Sequence, residues 1–199
     1  MRINPHTLGS YEVPDDATGV AIDIGANVGN WFAKFANQFE LVHAYEPLLA
    51  CFNECCTKAA TRRNVHVFQQ GISDRCRIIR MMEHARGTAG SSAVAGVPHH
   101  KKGWLKPLGR ATAITLPDAI ARTGGEQIDY LKVDCECSEY PALMGADLSG
   151  VKYIGIELHW QLGVDKWRKL VEHIQTTHRW RRDPVWGNNR HNEVLAIRK

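Results

Sequence analysis

The chain has 199 residues, of which 44% are hydrophobic and 23% charged, and its net charge is +4. That length suits one domain with a real core, and the composition excludes a disordered or fibrous chain. The mild positive charge would favour an anionic substrate but falls short of the concentrated basic face of a dedicated nucleic-acid binder.

Residues 1–18 read as an N-terminal extension, polar and proline-punctuated over Met1 to Asp16, without the basic-then-apolar layout of a secretory signal. No apolar run approaches the roughly 20 residues that span a bilayer. A cytoplasmic protein with no membrane partner is therefore expected. Gly19 to Ile24 is a short apolar run ending in Asp-x-Gly, a buried strand entering a turn. Asn30 to Phe39 carries Trp31, Phe32, Phe35, Ala36 and Phe39 at helical spacing. Leu41 to Tyr45 predicts a second strand, Pro47 to Ala60 a second helix and Val65 to Gln69 a third strand. Arg77 to Met82 and Ala111 to Leu116 read as further strands. Between them, Gly87 to Gly109 is rich in Gly, Ser, His and Lys and reads as a long hairpin connection or mobile flap, with residues 84–110 a flexible insertion. Pro117 to Thr123 predicts a helix stopped by Gly124-Gly125, Ile128 to Val133 a strand, Glu139 to Met144 a short helix, Lys152 to Leu158 a strand and Trp167 to Thr176 an amphipathic helix. The strand at Glu193 to Ile197 has Arg179 to Trp186 as its candidate partner. This alternation, in a chain that reads as one domain over 1–199, predicts an α/β fold: a mostly parallel sheet covered on both faces and closed by an antiparallel C-terminal strand.

Cys51, Cys55, Cys56, Cys76, Cys135 and Cys137 are spaced as reduced thiols rather than as a disulfide frame. The Cys-x3-Cys-Cys group departs from the paired spacings of zinc sites.

The stretch Ala21-Ile-Asp-Ile-Gly-Ala-Asn-Val-Gly-Asn-Trp31 is the most informative. A strand ends, Gly25 and Gly29 permit a tight turn and a close ligand, and a helix begins whose N-terminal N–H groups face polar ligand atoms. The Gly-x-Asn-x-Gly spacing is not a pyrophosphate cradle. Asp23 at the strand end would repel a pyrophosphate and instead suits a ligand bearing sulfonium and ammonium groups, held directly or through water. Glu46, in Ala-Tyr-Glu-Pro, follows Asp23 by 23 positions; an acid there accepts hydrogen bonds from a ribose diol, or else caps the turn before Pro47. Together the two motifs point to an adenosyl ligand.

With these residues the sequence resembles the FkbM family of class I methyltransferases. The matching segments are Asp23–Gly29, Tyr45–Pro47, Thr115–Asp118, Ile128–Glu136 with Glu139, and Ile156–His159. The resemblance implies the class I methyltransferase (Rossmann-like) three-layer sandwich with a seven-stranded sheet, S-adenosylmethionine as methyl donor, and O-methylation of a small-molecule or sugar-like acceptor. The cofactor set it implies is Asp23, Gly25, Ala26, Asn27, Gly29, Glu46, Pro47, Ser73 and Asp134. One position departs from the family's Asp-x-Glu-Gly-x-Glu: Cys137 stands where the Gly belongs, at a cost if that turn needs a positive φ.

Lys132, Asp134 and Glu136 end one strand and His159 follows the next, so a parallel sheet delivers them to one crevice. Asp134 or Glu136 is the expected base, His159 an alternative, and Lys132 a stabiliser of a developing oxyanion. Lys132 could equally pair with a carboxylate at the strand end, and Glu139 could simply favour a helix start. A Mg²⁺ or Mn²⁺ ion on Asp134, Glu136 and Glu157 is a less favoured alternative, and no metal residue is assigned. Two other readings stay open. Lys101, Lys102 and the Arg179–Trp186 segment suggest a nucleic-acid acceptor, though a loop tip and a half-buried strand give the same strings. Cys137 suggests a binding module that no longer turns over.

Overall fold

The computed structural model describes residues 11–84, 87–92, 105–125, 127–186 and 193–199. Two sheets are present. The larger is built from β1 (Val20–Ile24), β2 (Leu41–Tyr45), β3 (Val65–Phe68), β8 (Ile128–Val133), β9 (Val151–Glu157), β10 (His178–Trp180) and β11 (Glu193–Arg198). Its order is β10-β11-β9-β8-β1-β2-β3, and β11 runs antiparallel to both neighbours. The other pairings are parallel. The expected closing antiparallel strand and its partner are therefore in place.

The parallel strands are apolar on both faces because both faces are covered. On one side Ile22, Ile24, Leu131, Val133, Ile154 and Ile156 pack with Leu170 and Ile174 of helix α5 (Val164–Thr177), and with Leu116 and Leu143 of the short helices α3 (Leu116–Ala121) and α4 (Glu139–Leu143). On the other, Ala21, Val42, Ala44 and Tyr130 pack with Trp31 and Phe32 of α1 (Asn30–Phe35) and with Cys55 of α2 (Leu49–Ala59). The helix expected over Asn30 to Phe39 is α for six residues and then tightens into a 3₁₀ turn, Ala36–Gln38.

The smaller sheet was only partly legible. It comprises β4 (Gln70–Ile72), β5 (Arg77–His84), β6 (Gly87–Ser92) and β7 (Leu105–Ile114) in the order β4-β7-β5-β6. The described parts of the expected 84–110 insertion lie in these strands, while the basic Pro98–Trp104 segment lies outside the described residues. Leu116, expected in a strand, opens α3 instead. Thr115 Oγ1 accepts from the Asp118 N–H, and the Asp118 carboxylate accepts from the Thr115 N–H, a capping box that makes Thr-Leu-Pro-Asp a helix start. No described helix is long and apolar enough to cross a membrane.

Candidate active site

The loop after β1 is shaped by three left-handed residues, Gly25 (φ 76), Asn27 (φ 52) and Gly29 (φ 75). At Gly25 the backbone has no room: a Cβ would sit 1.8 Å from the Asp134 carbonyl oxygen. The N–H groups of Gly25 and Ala26 both donate to the Tyr45 carbonyl, at 3.0 and 3.1 Å. Gly29 packs on the Phe32 ring.

Glu46 anchors this loop to the start of α2. Its Oε2 accepts from the Asn27 N–H and its Oε1 from the Leu48 N–H, each at 2.8 Å. Both sequence readings of Glu46 thus meet in one side chain, which caps the turn and also lines the cleft. Burial pushes its carboxyl up to about 7, with the two N–H donors pulling the other way. The Asn27 N–H goes to Glu46 and the Gly29 N–H to the Ala26 carbonyl, both ahead of α1, and no side chain caps the helix start.

Asp23 sits elsewhere than expected. It is fully buried, and β1–β8 pairing sets it in register with Lys132, whose Nζ lies 3.0 Å from Asp23 Oδ1. Lys132 is itself buried, donates to the Gly25 carbonyl at 2.8 Å and comes within 3.7 Å of Asp134 Oδ2. Burial opposes the ammonium, but Asp23 and then Asp134 outweigh it and hold Lys132 above its ordinary value. Neither Asp23 nor Lys132 lines the cleft. The pair lies behind the glycine loop, where Lys132 ties the loop down through the Gly25 carbonyl.

At the end of β8, Asp134 and Glu136 do line the cleft. Glu136 (φ 49) and Cys137 (φ 73) are both left-handed. The turn does need the conformation glycine adopts freely, and each such non-glycine residue costs about 1–2 kcal/mol. His159, just past β9, does not line the cleft. Its Nδ1 lies 2.8 Å from Glu139 Oε1, and its Nε2 lies 3.3 Å from Glu136 Oε2 and 3.8 Å from Glu157 Oε1. Burial disfavours a charged ring, yet Glu139 and Glu136 outweigh it and hold His159 well above its ordinary value. Asp134, Glu157 and His159 each offer a ligating atom within 4.8 Å of the others.

These elements enclose an open cleft. Of the expected residues, Gly25, Asn27, Glu46, Pro47, Asp134 and Glu136 line it, whereas Asp23, Ala26, Gly29, Ser73, Lys132 and His159 do not. The Ser73 hydroxyl is engaged by Arg77 Nη2 at 2.8 Å and Asp74 Oδ1 at 3.0 Å. Sequence reasoning missed Leu48, Cys51, Ile79, Met81 and Ser138 on its wall. Adjacent Ile78 and Met82 hide the face of Ile79 and Met81 in the sequence, and only the second sheet aims that face at the cleft. Ser138 Oγ is buried with no hydrogen-bond partner among the described residues.

A family model described as the methyltransferase FkbM domain matches residues 23–183. No curated protein matches the sequence. Among solved structures, the chain is similar to the fibrillarin pre-rRNA processing protein of Methanococcus jannaschii, at 13% identity and a TM-score of 0.51, over 94% of this chain and 69% of that one. An rRNA methylase of Streptococcus thermophilus (11% identity, TM-score 0.47, 92% of this chain and 86% of that one) is more distant. So is a precorrin-6y C5,15-methyltransferase of Geobacter metallireducens (14% identity, TM-score 0.46, 90% and 78%). With the seven-stranded sheet closed by antiparallel β11 and the family match running from Asp23 through β9, the chain belongs to the FkbM methyltransferase family and has the class I methyltransferase fold.

Proposed function

We propose that this chain, acting as one domain, binds S-adenosylmethionine in the cleft between the glycine loop and β8, and methylates a hydroxyl of a small polar or sugar-like acceptor. The observation that carries the reading is one cleft with Glu46 and the loop backbone on its wall together with Asp134 and Glu136. When bound, S-adenosylmethionine supplies an electrophilic methyl group on a sulfonium. The donor set fits such a ligand. Glu46 has lone pairs left for a ribose diol, Leu48, Ile72, Ile79 and Met81 offer an apolar wall to a purine, and the carboxylates of Asp134 and Glu136 receive polar and cationic atoms. Asp134 or Glu136 takes the proton that the acceptor hydroxyl loses. A panel of polyols, sugars and RNA, assayed in parallel with labelled methyl donor, tests this. Label on small acceptors is expected; label on RNA alone would replace the acceptor class, and label on none would favour a non-catalytic binding module.

Glu46 gives the cleft a pH dependence. A ribose diol donates its hydrogens, so it prefers the ionised carboxylate. With the free carboxyl at about 7, binding strengthens as pH rises through that value and weakens below it. Affinity for S-adenosylmethionine is expected to improve about tenfold between pH 6 and pH 8. Calorimetry at both values measures this, and Glu46→Gln flattens the dependence if Glu46 is its source.

A further inference from the structure

Glu139 is fully buried, yet it does not line the cleft. Its Oε1 accepts from the Cys137 N–H at 3.2 Å and faces His159 Nδ1 at 2.8 Å. The other ring nitrogen faces Glu136 Oε2 at 3.3 Å. One carboxylate therefore holds both ends of the 136–137 turn: the backbone just after Glu136 directly, and the Glu136 carboxylate through the imidazole. That turn is left-handed at two consecutive non-glycine residues, a conformation that persists only where the surroundings over-determine it. Glu139 and His159 supply the determination. The groups facing the ring are Glu136, Glu139 and Glu157, with the Cys137 thiol nearby. Both ring nitrogens point at carboxylates, an arrangement that suits a rigid double donor rather than a shuttle.

We propose that Glu139 is a positioning residue that, through His159 and the Cys137 N–H, holds the Glu136 carboxylate at the cleft wall where the acceptor hydroxyl must deliver its proton. This rests on the methyl-transfer reading above. Its logic resembles the buried acid of a catalytic triad, which orients an imidazole and does not itself react, except that here the oriented ring fixes a second carboxylate.

Nuclear magnetic resonance of protein carrying ¹⁵N-labelled histidine, at pH 7, tests the chain of contacts. Two hydrogen-bonded ring N–H signals are expected from one imidazole, assigned by their loss in His159→Gln. Glu136→Gln should perturb only the Nε2 signal. Glu139→Gln should remove both, because the ring loses its anchor; Glu139→Asp, which withdraws the carboxylate and keeps its charge, should remove both as well. An Nε2 signal that stays at its wild-type position in either folded Glu139 variant would overturn the proposal, as would a wild-type spectrum without the paired signals, a result that needs no variant to fold. S-adenosylmethionine binding by the wild-type protein tests the underlying reading separately, so the two failures are distinguishable.

Discussion

Gly25→Ala is expected to destabilise the protein by about 3 kcal/mol or more and to abolish measurable binding in the cleft. Two costs combine. A residue with a Cβ at φ 76 costs about 1–2 kcal/mol for the left-handed conformation alone. The Cβ would also lie 1.8 Å from the Asp134 carbonyl oxygen and 2.8 Å from its carbon. Both are backbone atoms at the end of β8, so no side chain can swing aside. Relief requires parting β1 from β8 where the Asp134 N–H donates to the Ile24 carbonyl at 3.0 Å and Lys132 donates to the Gly25 carbonyl. Gly145→Ala is the control: Gly145 also has a positive φ (81), but its Cβ would meet nothing within 4 Å, so only the torsional cost of about 1–2 kcal/mol remains. Urea unfolding of the two variants separates steric from torsional loss, and equal losses would contradict the close approach.

Lys132→Met is expected to cost about 3–5 kcal/mol, because it strands the buried Asp23 carboxylate and leaves the Gly25 carbonyl without its donor. The double variant Asp23→Asn with Lys132→Met should recover at least about 2 kcal/mol of that loss, since a neutral pair has no buried charge to desolvate. A Lys132 that served the reacting oxygen would behave differently: stability would barely move, and removing Asp23 would rescue nothing. Denaturant unfolding across this cycle decides between a loop anchor and an oxyanion stabiliser.

The parallel core was legible in the sequence because strands buried on both faces are nearly continuous apolar runs; Leu41–Tyr45 and Ile128–Val133 fall where the runs do. The glycine loop and Glu46 were legible because turn chemistry is local. What could not be read depends on lateral register. The sequence sets Lys132 and Asp134 on one face of a strand, but only the β1–β8 pairing sets Lys132 opposite Asp23 and turns two candidate site residues into a buried ion pair. The surroundings of His159 escape the sequence for the same reason: Glu139 and Glu136 lie 20 and 23 positions away, and their convergence on its ring is tertiary. The second sheet was half-visible, since β5 is rich in apolar residues but pairs them as Ile78-Ile79 and Met81-Met82 without alternating, while β4 is three residues long and pairs across the chain with β7. Cys137 was legible as an anomaly, and its left-handed backbone gives that anomaly its cost.

Glu46 ties these levels together. It lies at the end of a well-formed strand, closes the glycine loop through the Asn27 N–H, begins α2 through the Leu48 N–H, and still faces the cleft. Calorimetric titration of S-adenosylmethionine into the wild-type chain and into Glu46→Ala tests the central claim most directly. Saturable one-to-one binding is expected in the wild type, weakened about tenfold to hundredfold by the substitution, as for loss of hydrogen bonds to a charged acceptor. A wild-type chain that takes up neither S-adenosylmethionine nor its demethylated product, or a Glu46→Ala variant that binds as tightly as wild type, would contradict it.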